Sequence, residues 1–274
     1  MRLCMVQITD FPPQYAEAVA GMYKPSLEKV LRPDTEVSVK PARGGLKGEN
    51  PLDFDNPYFV FLSKRPIIEA LIEAEMEGFD AAWVGCFGEP GIREARPVVD
   101  MPIVGPCEAT LHLACQLGRK LAIITANMPG QVAQIQEQVK SLGLQDRLIA
   151  NGVRMDREPF ATAWQKALES PQSAADSVAE VARECVADGA DVIVVGCCGL
   201  GPVCSTAGFN RLTIDGQDVP VLDPIMVVAK TAEMMVDIRK GTGLPIPSRT
   251  RNQVLPDQGD WSRVRSTFGL PTKP

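Results

Sequence analysis

The sequence has a single histidine in 274 residues, only 5% aromatic side chains and no surplus of positive charge. Each shortage closes off a class of function. One histidine, His112, with no CxxC pair among the eight cysteines, leaves a zinc site without its usual ligands. Cys197, Cys198 and Cys204 come nearest to a metal pattern and fall short of one, so no metal is expected. A net charge of −6 and a pI near 5.0 provide no basic face to displace counterions from a phosphate backbone, so no nucleic acid is expected. No apolar run approaches the roughly 20 residues of a membrane span. Arg2 leads straight into the strand-like Leu3–Ile8 rather than into a leader segment, and a cytoplasmic protein is expected. There is no GxxxxGKS/T loop and no GxGxxG after a strand, so no cofactor is expected. A chain of this length builds a core without disulfides. Cys4, Cys115 and Cys185 sit in apolar runs and read as small hydrophobes.

What is present is a duplication. Phe79-Asp80-Ala81-Ala82-Trp83-Val84-Gly85-Cys86-Phe87-Gly88 is matched by Ala190-Asp191-Val192-Ile193-Val194-Val195-Gly196-Cys197-Cys198-Gly199. Each is an apolar strand ending in Gly-Cys-x-Gly. Each is followed by a second matched phrase, Asp100-Met101-Pro102-Ile103-Val104-Gly105-Pro106 and Asp218-Val219-Pro220-Val221-Leu222-Asp223-Pro224. Strand and helix patterns alternate along the chain, which predicts an α/β protein of parallel sheets with helices on both faces. The duplication suggests a two-lobed molecule that holds two cysteines facing one another across a shared cleft. Residues 1–105 with 220–240 would form the first lobe, 106–219 the second and 241–274 a C-terminal extension in which Trp261, Val264 and Phe268 offer packing surface. Residues 41–58 read as a long Gly/Pro/Asn/Asp-rich loop of the kind that covers a site. The spacing of Ile67, Ile68, Leu71, Ile72 and Met76 predicts a helix over 66–77, and Ser173 reads as the cap of another.

In open parallel sheets ligands bind beyond the carboxyl ends of the strands, where both Gly-Cys-x-Gly motifs place a thiol. An opposed pair of thiols, one ionised and one not, can take a proton from one face of an acidic carbon and return one to the other face. Cys86 and Cys197 are therefore the candidate catalytic pair. Cys198 reads as a wall residue beside them. Thr9, Asp10, Phe87, Gly88, Thr125, Cys198 and Gly199 are candidate substrate-binding positions. His112 reads as a helix residue outside the chemistry, Glu108 as a helix-start acid and Asp223 as a turn or loop-orienting acid.

Those motifs resemble the aspartate/glutamate/hydantoin racemase superfamily. Cys86-Phe87-Gly88-Glu89-Pro90-Gly91 is similar to the CFGDPG-type phrase of its hydantoin and allantoin racemase branch, and Val104-Gly105-Pro106-Cys107-Glu108-Ala109 to the branch's VVG-x-x-EA segment. Val195–Leu200 and Val221–Pro224 resemble its second-cysteine and VIDP phrases. Where that branch carries an Asn-Pro-Asn phrase after its first strand, this chain has Gln7-Ile8-Thr9-Asp10-Phe11-Pro12. The resemblance implies two Rossmann-like three-layer α/β/α lobes related by a pseudo-twofold, with the active site in the cleft between them. It also implies a cofactor-independent racemase or epimerase acting on a hydantoin, allantoin or related ureido or amino-acid compound, with Cys86 and Cys197 as acid/base pair. The partner is a small molecule, and a homo-oligomer is expected. The alternatives are a maleate-type cis-trans isomerase, an arylmalonate-type decarboxylase, or a non-catalytic thiol protein sensing redox state or binding a ligand.

Overall fold

A computed structural model describes residues 1–272. The first half of the chain runs β1 (Arg2–Val6), α1 (Ala16–Leu27), β2 (Glu36–Lys40), α2 (Pro57–Met76), β3 (Ala81–Val84), α3 (Ile92–Ala95), β4 (Ile103–Val104) and α4 (Pro106–Leu117). The second half runs β5 (Leu121–Asn127), α5 (Pro129–Ser141), β6 (Leu148–Pro159), α6 (Phe160–Glu169), α7 (Pro171–Ala187), β7 (Val192–Val195), α8 (Leu200–Thr206), β8 (Arg211–Ile214), β9 (Gln217–Leu222) and α9 (Pro224–Thr242). A last helix, α10 (Gln258–Thr267), lies in the C-terminal extension.

The strands form two sheets, ordered β2-β1-β3-β4 and β6-β5-β7-β9-β8. Setting β1, β2, β3 and β4 against β5, β6, β7 and β9 superposes the two orders, which is the duplication read from the sequence. The paired strands at the centre, β3 and β7, are buried along their whole length and are apolar at every position, as strands covered on both faces must be. β8 departs from the parallel pattern. It pairs antiparallel with β9 through a tight turn at Asp215 and Gly216, both at positive φ, which gives a hairpin its twist.

Three apolar clusters hold the layers together. α2 and α3 cover the outer face of the first sheet through Ile67, Leu71 and Ile92. α7 covers the outer face of the second through Val178, Val181 and Cys185. Between the sheets, Leu3, Met5 and Trp83 share one cluster with Ile123 and Val194, joined by Leu111 of α4 and Ile225 and Val228 of α9. The two lobes thus share a core, and each fully buried Leu or Ile in it contributes about 1.5–3 kcal/mol.

Several boundaries differ from the sequence reading. β9 belongs to the second sheet and spans the expected 219/220 division, so the chain returns towards the first lobe at α9. α2 starts at Pro57, not at 66, because Asn56 accepts from Tyr58 N and Phe59 N and proline occupies the first helical position. α7 starts at Pro171, which places Ser173 inside the helix rather than at its cap. Cys204 lies within α8 and is buried. The extension packs on the first lobe: Arg265 grips Glu69 with two bonds of 2.9 and 2.7 Å, and Arg249 donates to Arg96 O and Val99 O at 2.8 and 2.6 Å. Trp261 packs against the outer core there, whereas Val264 and Phe268 are exposed. The final two positions of the 241–274 extension lie outside the described residues.

Candidate active site

The carboxyl ends of β1 and β3 in one lobe and of β5 and β7 in the other converge on one cavity of about 290 Å³. Backbone pairing there is the same in both copies. Gly85 N donates to Val6 O at 2.8 Å, and Gly196 N donates to Ile124 O at 2.7 Å. The next residue in each case is the cysteine, and both Cys86 and Cys197 line the cavity. The glycines are required by contact rather than by φ. A Cβ on Gly196 would stand 2.5 Å from Ile123 Cγ2, and one on Gly85 would meet both amide atoms of Gln7 at 3.1 Å.

Each thiol faces backbone donors on its exit turn: Gly88 and Glu89 N–H at Cys86, Gly199 and Leu200 N–H at Cys197. Both cysteines are partly buried residues that line the cavity. Burial therefore dominates and pushes Cys86 up to about 12, with the backbone donors partly offsetting it and the nearby Cys197 adding repulsion. Burial raises Cys197 as well. Two thiolates this close repel, so the pair holds at most one charge near neutrality. Cys86 also feels the nearby Glu89, whereas Cys197 feels Asp156.

Of the expected contact residues, Thr9, Phe87, Thr125, Cys198 and Gly199 line the cavity. Thr125 donates from Oγ1 to Gly196 O at 3.0 Å and so ties β5 to the second thiol's strand end. Gly88 is not part of the lining; it sits behind Cys86, where a Cβ would meet Gln134 Nε2 at 2.7 Å. Asp10 lies outside the cavity in a wide open groove of about 700 Å³. Its carboxylate is taken by Lys47 Nζ at 2.6 Å and Gly44 N at 3.0 Å, which hold it below the ordinary carboxylate range. That groove contains no cysteine and mixes both charge signs, so the chemistry belongs to the smaller cavity. His112 rests with Nδ1 2.7 Å from Glu108 O on α4, and Asp223 caps α9 by accepting from Ile225 N at 2.8 Å.

Four contributions were not read from the sequence. Gln7 is the register counterpart of Thr125, since Val6 pairs with Val84 as Ile124 pairs with Val195. Tyr23 reaches the cavity from α1 and accepts from Gln7 Nε2 at 2.9 Å. Phe54, Phe160 and Trp164 supply aromatic walls. Glu89, at φ 53°, shapes the Cys86 turn and accepts from Glu108 N and Gln138 Nε2 at 2.8 and 2.7 Å. The 41–58 segment contributes Gly48, Pro51 and Phe54 to the cavity. It is fastened to the second lobe where Gly130 N donates to Asp55 at 2.7 Å. Among the described residues no group of three or more His, Cys, Asp or Glu is placed to hold a metal ion. Among the described residues no Lys, Arg, His, Asp or Glu lines the cavity.

Residues 60–232, which include both cysteine turns, match the Asp/Glu/Hydantoin racemase family model. The chain belongs to that family. It is 28% identical over 244 residues to the hydantoin racemase of Pseudomonas sp. (strain NS671), covering 88% of each protein. Its fold matches the allantoin racemase from Klebsiella pneumoniae with a TM-score of 0.72, at 18% identity and 94% coverage of each chain. Unliganded arylmalonate decarboxylase shares the fold at a TM-score of 0.52 and 14% identity, covering 92% of this chain and 97% of its own. The chain is thus an enzyme of a racemase family, with two parallel-dominated α/β lobes.

Proposed function

We propose that this racemase inverts a carbon made acidic by a neighbouring carbonyl in a neutral cyclic ureide, a hydantoin, allantoin or close relative, with Cys86 and Cys197 as the acid/base pair. The observation that carries the reading is that two thiols from equivalent turns of a duplicated fold line one small cavity. The lining favours an uncharged substrate. A zwitterionic amino acid or a carboxylate would lose its hydration in that cavity without meeting an opposite charge, a cost of several kcal/mol. The walls of Phe54, Phe87, Phe160 and Trp164 suit an apolar substituent on the ring.

Thiolate Cys197 removes the proton from one face while thiol Cys86 supplies one to the other, and the next turnover runs in reverse. A decarboxylase of the same fold needs a single thiol, so a pair in one cavity favours inversion. The test is incubation of the protein with a panel of 5-substituted hydantoins, allantoin and free amino acids in heavy water. Deuterium at the stereocentre of a ureide, together with decay of optical rotation, is the expected result. Cys86→Ala and Cys197→Ala each abolish racemisation, whereas Cys198→Ala retains most of it. Equal activity in all three variants refutes the two-thiol mechanism.

A further inference from the structure

We infer that the Tyr23 hydroxyl, oriented by Gln7, is the hydrogen-bond donor that stabilises the oxygen on which negative charge develops when the substrate carbon loses its proton. The inference rests on the proton-transfer reading above and adds to it the group that makes the carbon acidic enough to react.

Removing a proton beside a carbonyl leaves an enolate, and its oxygen needs a donor fixed in advance. Among the described residues no cationic side chain and no metal-binding cluster lines the cavity, and a neutral donor suits such a lining. Tyr23 fits that requirement by position. It is only 7% exposed, lines the cavity, and stands within electrostatic reach of Cys86, Cys197 and Cys198 together. Its oxygen already accepts from Gln7 Nε2 at 2.9 Å, while its own proton has no acceptor among the described residues. A buried hydroxyl with its lone pair engaged and its proton unused points that proton at whatever occupies the cavity. Burial also keeps Tyr23 protonated far beyond the usual phenol range, so it remains a donor wherever a thiolate can form.

Gln7 is fixed in turn. Its amide lies over Gly85, where a Cβ would come within 3.1 Å of both its terminal atoms. Gln7 Oε1 has no donor among the described residues and is free to accept a ring N–H of the ureide. A donor and an acceptor side by side match the N–H and C=O edge of a lactam. In the step itself, the thiolate forms S–H as the C–H bond breaks. The electron pair moves onto the carbonyl oxygen, and Tyr23 O–H bonds to that oxygen without giving up its proton. The opposite thiol then protonates the other face of the carbon and becomes the thiolate.

The experiment compares wild type with Tyr23→Phe on a 5-substituted hydantoin and on its 4-thio and 2-thio analogues, following deuterium incorporation and resolving kcat from KM. The 4-position carries the enolate oxygen, and sulfur there is a weak acceptor. On the oxo and 2-thio substrates kcat is expected to fall by about 10²-fold, the loss typical of one oxyanion donor, with KM nearly unchanged. On the 4-thio substrate it is expected to fall far less. A folded variant within threefold of wild type on the oxo substrate, or one equally impaired on all three, overturns the inference. If Tyr23→Phe does not fold, Gln7→Met is expected to lower kcat with the same ordering of substrates and also to raise KM, because it removes the acceptor for the ring N–H as well; a kcat unchanged, or lowered equally on all three substrates, overturns the inference. Failure of the wild type to exchange deuterium into any ureide sinks the racemase reading itself and this inference with it. Exchange by the wild type with an unimpaired variant sinks this inference alone.

Discussion

Glu89 offers a test of the site's electrostatics that does not depend on knowing the substrate. Its backbone is held at φ 53°, a conformation rare for a residue with a Cβ. Its carboxylate sits at the start of α4, where Glu108 N and Gln138 Nε2 donate to it. Burial pushes its pKa from 4.5 to about 7, reinforced by the nearby Glu108 and only partly offset by those donors and Arg96. The folded protein therefore keeps a proton that the unfolded chain gives up, and stability falls as pH rises from about 4.5 to about 7. Above that window the full cost of the buried charge is felt, on the order of 3 kcal/mol at about 1.36 kcal/mol per pKa unit; below it the cost vanishes. Glu89→Gln keeps shape and acceptor and never ionises. Its new N–H₂ can also serve Gln138 Oε1, which is buried without a partner, once that amide turns over. Urea denaturation of both proteins at pH 5 and pH 8 is the assay. The variant is expected to be about 2–3 kcal/mol more stable at pH 8 and within about 1 kcal/mol of wild type at pH 5. A difference that does not change with pH, or a variant less stable at pH 8, refutes the argument that this carboxylate is ionised against its environment.

Two further outcomes follow from contacts at the rim and wall of the cavity. Gly196→Ala drives a methyl group against Ile123 and Phe87, so thermal unfolding should show a loss of about 1–3 kcal/mol, with activity falling more than stability because Cys197 is the next residue. Asp10→Asn should leave kcat/KM within about threefold of wild type, since its carboxylate faces Lys47 and Gly44 outside the cavity; a loss of a hundredfold in steady-state kinetics would place Asp10 on the substrate after all.

The sheets and thiols were legible because their signals are local. β3 and β7 are covered on both faces, so each reads as an unbroken apolar run, and the Gly-Cys step that ends it is two letters long. Helix ends were less legible. Pro66 looked like a start, but the better signal was Asn56-Pro57, a capping side chain followed by proline in the first turn. The donors in the cavity were not legible, for a reason of geometry. Which residue beyond β1 faces the thiols depends on its register against β3, and that register selects Gln7 as the counterpart of Thr125, with Thr9 further out towards the 41–58 segment. Tyr23 lies on α1, and nothing in the helix's own pattern shows that its ring crosses to Gln7 and the three thiols. Glu89 was hidden by chemistry, since a left-handed turn is read from glycine or asparagine and rarely from glutamate.

Inversion by two thiols would need one of them ionised and the other protonated, and the two stand in different surroundings. Cys86 has Glu89 nearby, whereas Cys197 has Asp156, a carboxyl whose pKa burial raises. Wherever Glu89 is ionised, it opposes a thiolate at Cys86. If inversion runs through the pair, the enantiomer that presents its hydrogen to Cys197 would meet the less opposed thiolate, and its mirror image would need the thiolate at Cys86. Yet two enantiomers in water have equal free energies, so the equilibrium constant between them is one and kcat/KM must be equal in both directions. The asymmetry built by Glu89 can then appear only as compensating differences in kcat and KM between the two hands. The enantiomer deprotonated by Cys86 should bind more tightly and turn over more slowly, because its productive complex must first pass through the disfavoured thiolate.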